Sequence, residues 1–417
     1  MDYFVKDMKL AQQGKRNIEL AEQQMPVLAS VRKRYEKEKP LAGVRISACL
    51  HVTKETAVLM RTLVAGGGQV RLCASNPLST QDDVAAALAS EGIPTYAVKG
   101  MGNDDYYKCL NACLDLRPNI TLDDGADLIN AIHTKRRELL AEVIGGQEET
   151  TTGVIRLRAM AKEGALEFPV VAVNDTPTKH LFDNYYGTGQ STIDGILRAT
   201  NVLLAGRTVV QVGYGQCGKG VAMRAHGLGA KVVVVEVDPV EALRAHMDGF
   251  DAMTMSDAAK VGDVFVTATG NKNVIRKEHF ELLKDGAILC NTGHFNVEID
   301  IPALEKMAVK REMVRPFMEK YYFKDGRRVY LLGEGRLINL AAAEGHPSAV
   351  MDLSFADQAL VSEFLVKNKG RLSKGVVEVP AELDLQVAKM KLECEKCGLE
   401  YLTDEQIKYM AEWREGT

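Results

Sequence analysis

The stretch TVVQVGYGQCGKG, residues 208–220, followed by KVVVVE at residues 231–236, decides the fold. Thr208–Val212 is a β-rich run and Gly218–Gly227 a helical one, so Gly213, Gly215 and Gly218 form a G-x-G-x-x-G turn between strand and helix. The first glycine permits the tight turn, the second lets backbone approach a pyrophosphate, and the third lets helix and strand pack closely. The helix start then offers free N–H groups and a positive dipole end to phosphate. Glu236 closes the valine run at the distance where an acid accepts hydrogen bonds from a ribose diol. A carboxylate there repels a 2′-phosphate, so the expected cofactor is NAD and not NADP.

Working outward, the unbroken valine of residues 232–235 argues for a strand buried on both faces. Val264–Thr267 and Ala287–Asn291 repeat the strand signal with helical stretches between them. A second alternating pattern precedes this one. Helical Ala57–Ala65 and Asp82–Glu91 alternate with strand-like Gln69–Cys73 and Pro94–Val98, and further short apolar runs stand at Ile120–Leu122 and Val170–Val173. Strands alternating with helices imply parallel sheets covered on both faces. Ser191–Leu203 reads as an uninterrupted helix that serves as a hinge between the two regions. Beyond His346 the pattern turns irregular, and the chain closes on a helix over Leu402–Trp413 opened by the cap-like Thr403.

Composition narrows the function. The 417 residues are 46% hydrophobic and 26% charged, enough for two or three packed cores. Lys and Arg number 52 against 56 Asp and Glu, without a basic run, so a nucleic-acid partner is not expected. Mean hydropathy is -0.11 and no apolar stretch of about 18 residues occurs, so no membrane span is expected either. Eight cysteines are too dilute for a disulfide scaffold, and the N-terminus lacks an apolar signal region; both features point to the cytoplasm.

Polar residues cluster at predicted strand ends outside the dinucleotide motif. His51, Thr53 and Glu55 lie in one such segment, Ser79 to Asp82 in a second, and Asp123-Asp124-Gly125 in a third. Singly, these read equally well as helix caps, a core histidine and a turn. Glu149 followed by Thr150, Thr151 and Thr152 is harder to dismiss, since capping uses one hydroxyl and not three. Lys179 and Asp183 share a face if helical, either as a surface pair contributing at most about 1 kcal/mol or as a lysine tuned to act as a base. His294 and His346 each follow a glycine in a loop suited to a cleft. No histidine pair has metal-site spacing, and Cys394 and Cys397 form a lone C-x-x-C, so no metal is expected.

Taken together, the segments CLHVTKETA, STQD, LDDGADL, EETTTGV, VNDTPTKHLFDNYYG, GYGQCGKG, NTGHFNVEID and AAAEGHPS resemble the S-adenosylhomocysteine hydrolase family over about Cys49 to Leu402. The resemblance implies two doubly wound α/β domains. Residues 1–187 would form the substrate domain and 190–347 a Rossmann-type NAD domain. Residues 348–385 would return to complete the first, and 386–417 would form a C-terminal helical segment. It also implies a homotetramer, a thioether nucleoside substrate, and NAD recycled within each turnover. The reversible reaction would release homocysteine and adenosine by 3′-oxidation, elimination, water addition and re-reduction.

Carried over by resemblance, Lys179 would be the base toward the ribose 3′-hydroxyl, with Asp183 and Asn184 placing it and Glu149 on the ribose hydroxyls. Asp124 and His51 would handle the C4′ proton and the C5′ leaving group or water. Thr53 and Glu55 would meet the purine, and His294 and His346 the homocysteine part and the closing gate. Thr150, Thr151 and Thr152 would line the nicotinamide ribose, Glu236 the adenosine ribose, and Asn339 the carboxamide. This chain departs from the family pattern with Thr188 where a cysteine is common and Glu241 where an asparagine is usual. It also ends at Thr417, without the Lys- and Tyr-bearing tail of eukaryotic members. Glu55 accepts from the adenine amine, yet after a small shift it could accept from the N1–H of hypoxanthine, so S-inosylhomocysteine stays open as substrate. The remaining rivals are an ordinary NAD-dependent dehydrogenase and an inactive NAD sensor. The first does not account for the Glu-Thr-Thr-Thr segment or the Lys179–Asp183 unit, and Lys179, His51, Asp124 and Glu149 standing together argue against the second.

Overall fold

The computed structural model describes residues 2–414. Two sheets organise it. The first holds β1 (Arg45–Leu50), β2 (Gln69–Ala74), β3 (Thr95–Tyr96), β4 (Ile120–Asp123), β5 (Gly145–Glu148) and β6 (Pro169–Ala172), and is joined late by Gly375–Val377. Its order is Gly375–Val377, β6, β5, β4, β1, β2, β3, with every neighbouring pair parallel. From the centre the chain winds out through β2 and β3 on one side and through β4 to β6 on the other. The direction of winding therefore reverses between β1 and β4, and such a switch point opens a crevice at the carboxyl ends of the strands. His51 follows β1 and Asp124 follows β4 at that crevice.

The second sheet holds β7 (Thr208–Val212), β8 (Lys231–Val235), β9 (Asp251–Ala252), β10 (Val264–Thr267), β11 (Ala287–Asn291), β12 (Lys310–Arg315), β13 (Met318–Tyr322) and β14 (Arg328–Leu332). The order is β12-β13-β14-β11-β10-β7-β8-β9. Its switch point falls between β7 and β10, where the glycine turn begins. Five strand pairs around β7 to β11 and β14 are parallel, but β12 and β13 add an antiparallel edge ribbon. The ribbon is exposed on β12, whose charged Lys310, Arg311, Glu312 and Arg315 suit an edge strand. The β8 valines Val232 to Val234 are buried, as unbroken valine implies. Separate apolar cores lie under the two sheets.

Several local expectations need correction. The segment after His346 is not irregular: Ser348–Lys367 is a continuous helix of 20 residues. Leu353, Phe355, Ala356, Ala359, Leu360, Val361 and Leu365 all enter the first core, and its polar residues other than the terminal Lys367 are buried as well. A helix buried all round has no amphipathic stripe, which is why periodicity hides it. The carboxylate of Asp352 accepts from Val27 N and Leu28 N, capping the helix Pro26–Glu38. Tyr35 donates its hydroxyl to Ala359 O at 2.7 Å, a second tie between the same two helices. The hinge helix is Thr188–Thr200 and stops at Asn201 in the left-handed region, not at Leu203. The strand expected over Pro94–Val98 shrinks to Thr95–Tyr96. Residues 381–394 form one helix running across position 385, and the last helix is Asp404–Ala411, boxed by Thr403 and Gln406.

Candidate active site

Both switch points face one cleft of ≈ 1320 Å³, large enough for a dinucleotide and a nucleoside together. On the second sheet, Gly213 sits at φ 92°, where a side chain is strained. A Cβ on Gly218 would run into the Gly213 carbonyl, while Gly215 has open space around it. These are the conditions for a turn that admits a pyrophosphate onto the start of the helix Gln216–Gly227. Glu236 accepts from Tyr214 N at 2.6 Å through Oε2 and from Val237 N at 2.6 Å through Oε1. It thus ends β8 as a fixed carboxylate lining the cleft. Asn339, also in the lining, is buried with Oδ1 lacking a partner, an acceptor kept for a ligand. Glycine cradle, carboxylate and orphaned amide fit NAD.

Across the cleft, Lys179 is 4% exposed and donates to three oxygens: Asn174 Oδ1 at 3.2 Å, Asp183 Oδ1 at 3.2 Å and Asn184 Oδ1 at 2.8 Å. Glu149 Oε1 lies 3.5 Å from its Nζ. The chain makes this knot by leaving the short helix Pro177–Lys179 for a π-helical turn over His180–Gly187, a widened geometry common at functional sites. Burial works to lower the proton affinity of Lys179, but Asp183 and Glu149 overcome it, and the ammonium is held above its ordinary range. A base role therefore requires a proton to leave, which the positive nicotinamide ring of a bound NAD favours. For Asp183 the balance runs the other way: burial raises it, yet Lys179 and His346 hold it well below the usual carboxylate range. Glu149 is pushed up to about 8, chiefly by burial, with Lys179 opposing. Its Oε2 accepts from Gln358 Nε2, and its Oε1 has no hydrogen-bond partner.

The third group sits at the β1/β4 crevice. His51 Nε2 is 3.1 Å from Asp124 Oδ2, and its Nδ1 is 2.8 Å from Ser79 Oγ and 3.1 Å from Ser75 Oγ. Burial lowers the histidine to about 4, more than Asp124 raises it, so the ring is neutral at physiological pH. Such a ring donates from Nε2 to the carboxylate and accepts at Nδ1. His294 Nδ1 approaches the other Asp124 oxygen at 3.4 Å. Among the described residues, His51, Asp124 and His294 alone converge closely enough, within 4.8 Å, to hold a small cation. Tertiary folding makes that trio; no sequence spacing does.

The other expected residues divide between sheet and gate. Thr53 caps the helix Lys54–Ala65, and Glu55 behind it accepts from Ser348 Oγ at 2.6 Å. Thr150 precedes the helix Thr151–Lys162 without a side-chain cap bond, Thr151 accepts from Asn174 Nδ2 at 3.0 Å, and all three threonines line the cleft. His346 lies 3.3 Å from Asp183 Oδ1 and 3.2 Å from Thr188 Oγ1, so the residue at the family's cysteine position contacts this histidine. Glu241 turns toward buried Lys219, 2.7 Å away. Lys54 to Glu344 at 2.8 Å and Lys99 to Ala341 O at 2.9 Å tie the first domain to the loop before His346.

Sequence reasoning missed Ser75, Asn174, Ser354, Gln358 and Glu298. Ser354 donates to Asp183 Oδ2 at 2.9 Å, and Gln358 reaches Glu149 from the same helix face. Glu298, 1% exposed, accepts from Thr269 N and Gly270 N at the cofactor side. A usable signal existed: Ser354, Gln358 and Ser362 stand four apart in a run otherwise rich in apolar residues.

A glycine turn fit for a dinucleotide, facing a buried lysine, three carboxyl groups and a neutral histidine across two doubly wound sheets, defines an NAD-dependent enzyme. Residues 2–144 match the family model described as S-adenosyl-L-homocysteine hydrolase, and residues 184–345 match the model of its NAD binding domain. Adenosylhomocysteinase of Aquifex aeolicus is 60% identical over 418 residues, covering 100% of both chains. The enzyme of Pyrococcus abyssi is 57% identical over 416 residues, covering 100% of this chain and 99% of its own. The chain belongs to the adenosylhomocysteinase family.

Proposed function

We propose that this cleft hydrolyses the thioether of S-adenosylhomocysteine, releasing homocysteine and adenosine reversibly, with the residues above in the following roles. The observation that carries the reading is the meeting, in one cleft, of the cofactor turn at Gly213 with two separate acid–base groups, Lys179–Glu149 and His51–Asp124. NAD held by the Gly213–Gly218 turn, Glu236 and Asn339 would supply reversible hydride acceptance at C3′, with no net oxidation over a turnover.

Lys179, relieved of a proton, receives the proton of the 3′-hydroxyl, with Asp183 and Asn184 fixing its Nζ. Glu149 offers its free Oε1 to the neighbouring ribose hydroxyl. A ketone at C3′ acidifies the C4′ hydrogen, which passes to Asp124 or to the His51 paired with it. The electron pair left at C4′ forms the C4′–C5′ double bond as the C5′–S bond breaks, and the sulfur leaves with its bonding pair and takes the proton that the His51–Asp124 pair removed from C4′. Water then adds, its hydroxyl to C5′ and its proton, passed by the same pair, to C4′. His294 and His346 close over the homocysteine end. Thr53 and Glu55 meet the purine, the carboxylate accepting from its exocyclic amine.

The exposed apolar residues Tyr401, Leu402, Ile407, Met410 and Trp413 of the C-terminal segment support assembly into a homotetramer. Eight unpaired cysteines suit a reducing compartment, the cytoplasm. No described helix is long and apolar enough to cross a membrane. The deciding experiment gives NAD-loaded protein equimolar S-adenosylhomocysteine and S-inosylhomocysteine in one vessel, with products separated chromatographically. Adenosine is expected first. Inosine first would keep the mechanism and overturn the role of Glu55; release of neither would overturn the hydrolase reading.

A further inference from the structure

Behind Asp124 lies a carboxylate for which the chemistry above has no use. Glu148 ends β5, is 0% exposed, and precedes Glu149. Its Oε1 accepts from Gly125 N at 2.8 Å and Thr150 N at 3.1 Å, and its Oε2 from Ala126 N at 3.0 Å. Three backbone donors converge on one buried carboxyl group and oppose the effects of burial, Asp123 and Asp124, which together hold its proton affinity well above the usual range. The turn it grips is strained: Gly125 lies at φ 108° and Ala126, not a glycine, at φ 60°. Asp123 Oδ1 takes the Asp124 N–H at 3.1 Å, and Arg156 donates to the Gly125 carbonyl, so the turn is held from every side. The helix opposite is cut back to admit the carboxylate, since a Cβ on Gly153 would collide with it.

We infer that Glu148 is a positioning residue that fastens the Asp124 turn to the turn carrying Glu149 and Thr150. The groups acting at C4′ and at the 3′ side of the ribose are thereby kept at one fixed spacing. This rests on the hydrolase reading. A glutamine presents one acceptor where three N–H groups converge, and its amide N–H faces donors, so at least one bond is lost. Displacement of a reacting group by about 1 Å costs on the order of a hundredfold in rate.

The test uses NAD-loaded E148Q and, as the conservative variant, E148D. Three readouts are taken: amide deuterium exchange of the peptide 123–127 before substrate is added, near-ultraviolet absorbance of the reduced cofactor on adding adenosine, and loss of the adenosine C4′ hydrogen in heavy water by NMR. In E148Q the peptide is expected to exchange faster. C4′ exchange should fall by about a hundredfold while cofactor reduction falls by less than about tenfold, and E148D should recover part of the difference. If E148Q does not fold, E148D should show the same split in smaller measure. Parallel loss of both steps, or unchanged exchange of peptide 123–127, would overturn the inference. Absence of nucleoside release from the unaltered protein would overturn the hydrolase reading instead, and peptide exchange alone would then decide the role of Glu148.

Discussion

Replacing Asp183 by asparagine keeps the shape of a buried knot and removes one of its charges. Asp183 Oδ1 stands 3.2 Å from Lys179 Nζ and 3.3 Å from His346 Nδ1, and Oδ2 accepts from Ser354 at 2.9 Å. Removing one member of a buried ion pair costs about 3–5 kcal/mol, because the surviving charge loses its partner in a low-dielectric site. Asparagine retains an oxygen for one of these contacts, so D183N should lie near the lower end, about 3 kcal/mol. The pH dependence follows from the directions of the two shifts. The folded carboxyl titrates below its unfolded value of about 3.9, so its contribution is complete above that pH and fades as pH falls through the folded value. The ammonium is raised, so its contribution is complete below about 10.4 and fades as pH rises through the folded value. Urea denaturation of D183N against the unaltered protein should therefore show a gap that narrows somewhat from pH 5 to pH 8, because Asp183 also helps to raise Glu149 and its removal relieves part of that group's cost. Adenosine release should drop by at least about a hundredfold, since Lys179 loses its orientation. A stability gap under about 1 kcal/mol at pH 7 would refute the reasoning, as would a gap that widens between pH 5 and pH 8.

Glu149, raised to about 8 by burial, keeps its proton in the folded chain while the unfolded chain loses it. Stability should therefore decline between about pH 4.5 and 8, by at most about 5 kcal/mol from this group, and E149Q should flatten that decline in a denaturation series. Substituting Glu236 by alanine removes the carboxylate that repels a 2′-phosphate; the ratio of NAD to NADP affinity, read by fluorescence titration, should fall by about tenfold or more. Tyr35→Phe removes the hydroxyl bound to Ala359 O and should lower stability by about 1 kcal/mol with adenosine release unchanged. A large activity loss there would mean that the helix Ser348–Lys367 is coupled to the cleft more tightly than its packing implies.

Local features of the chain were readable wherever backbone geometry and chemistry coincide in a few residues. The glycine spacing at 213–218 and the acid at 236 announce a strand, a turn and a cofactor, because only that geometry uses all three glycines. The helix from 348 to 367 escaped because it is buried on every side, which erases the periodicity that reveals helices. With it went Ser354 and Gln358, whose contacts to Asp183 and Glu149 come from residues more than 150 positions away. The direction of the Lys179 shift was likewise illegible. It depends on Asp183, four residues on, and on Glu149, thirty positions back, acting against burial, a balance set by distances in space.

The sequence by itself determined two parallel α/β units and a dinucleotide turn with NAD preference, each written in short-range spacing, whereas it offered candidates for the acid–base groups only through resemblance to a family. Only the tertiary structure decided which of them meet. Two switch points, one between β1 and β4 and the other between β7 and β10, open onto the same cleft. There His51, Asp124 and His294 converge from three separate strand ends, and Glu148 binds the turns around them. Proton affinities and spacings of this kind are properties of burial and of neighbours across the fold, and the chain order does not contain them.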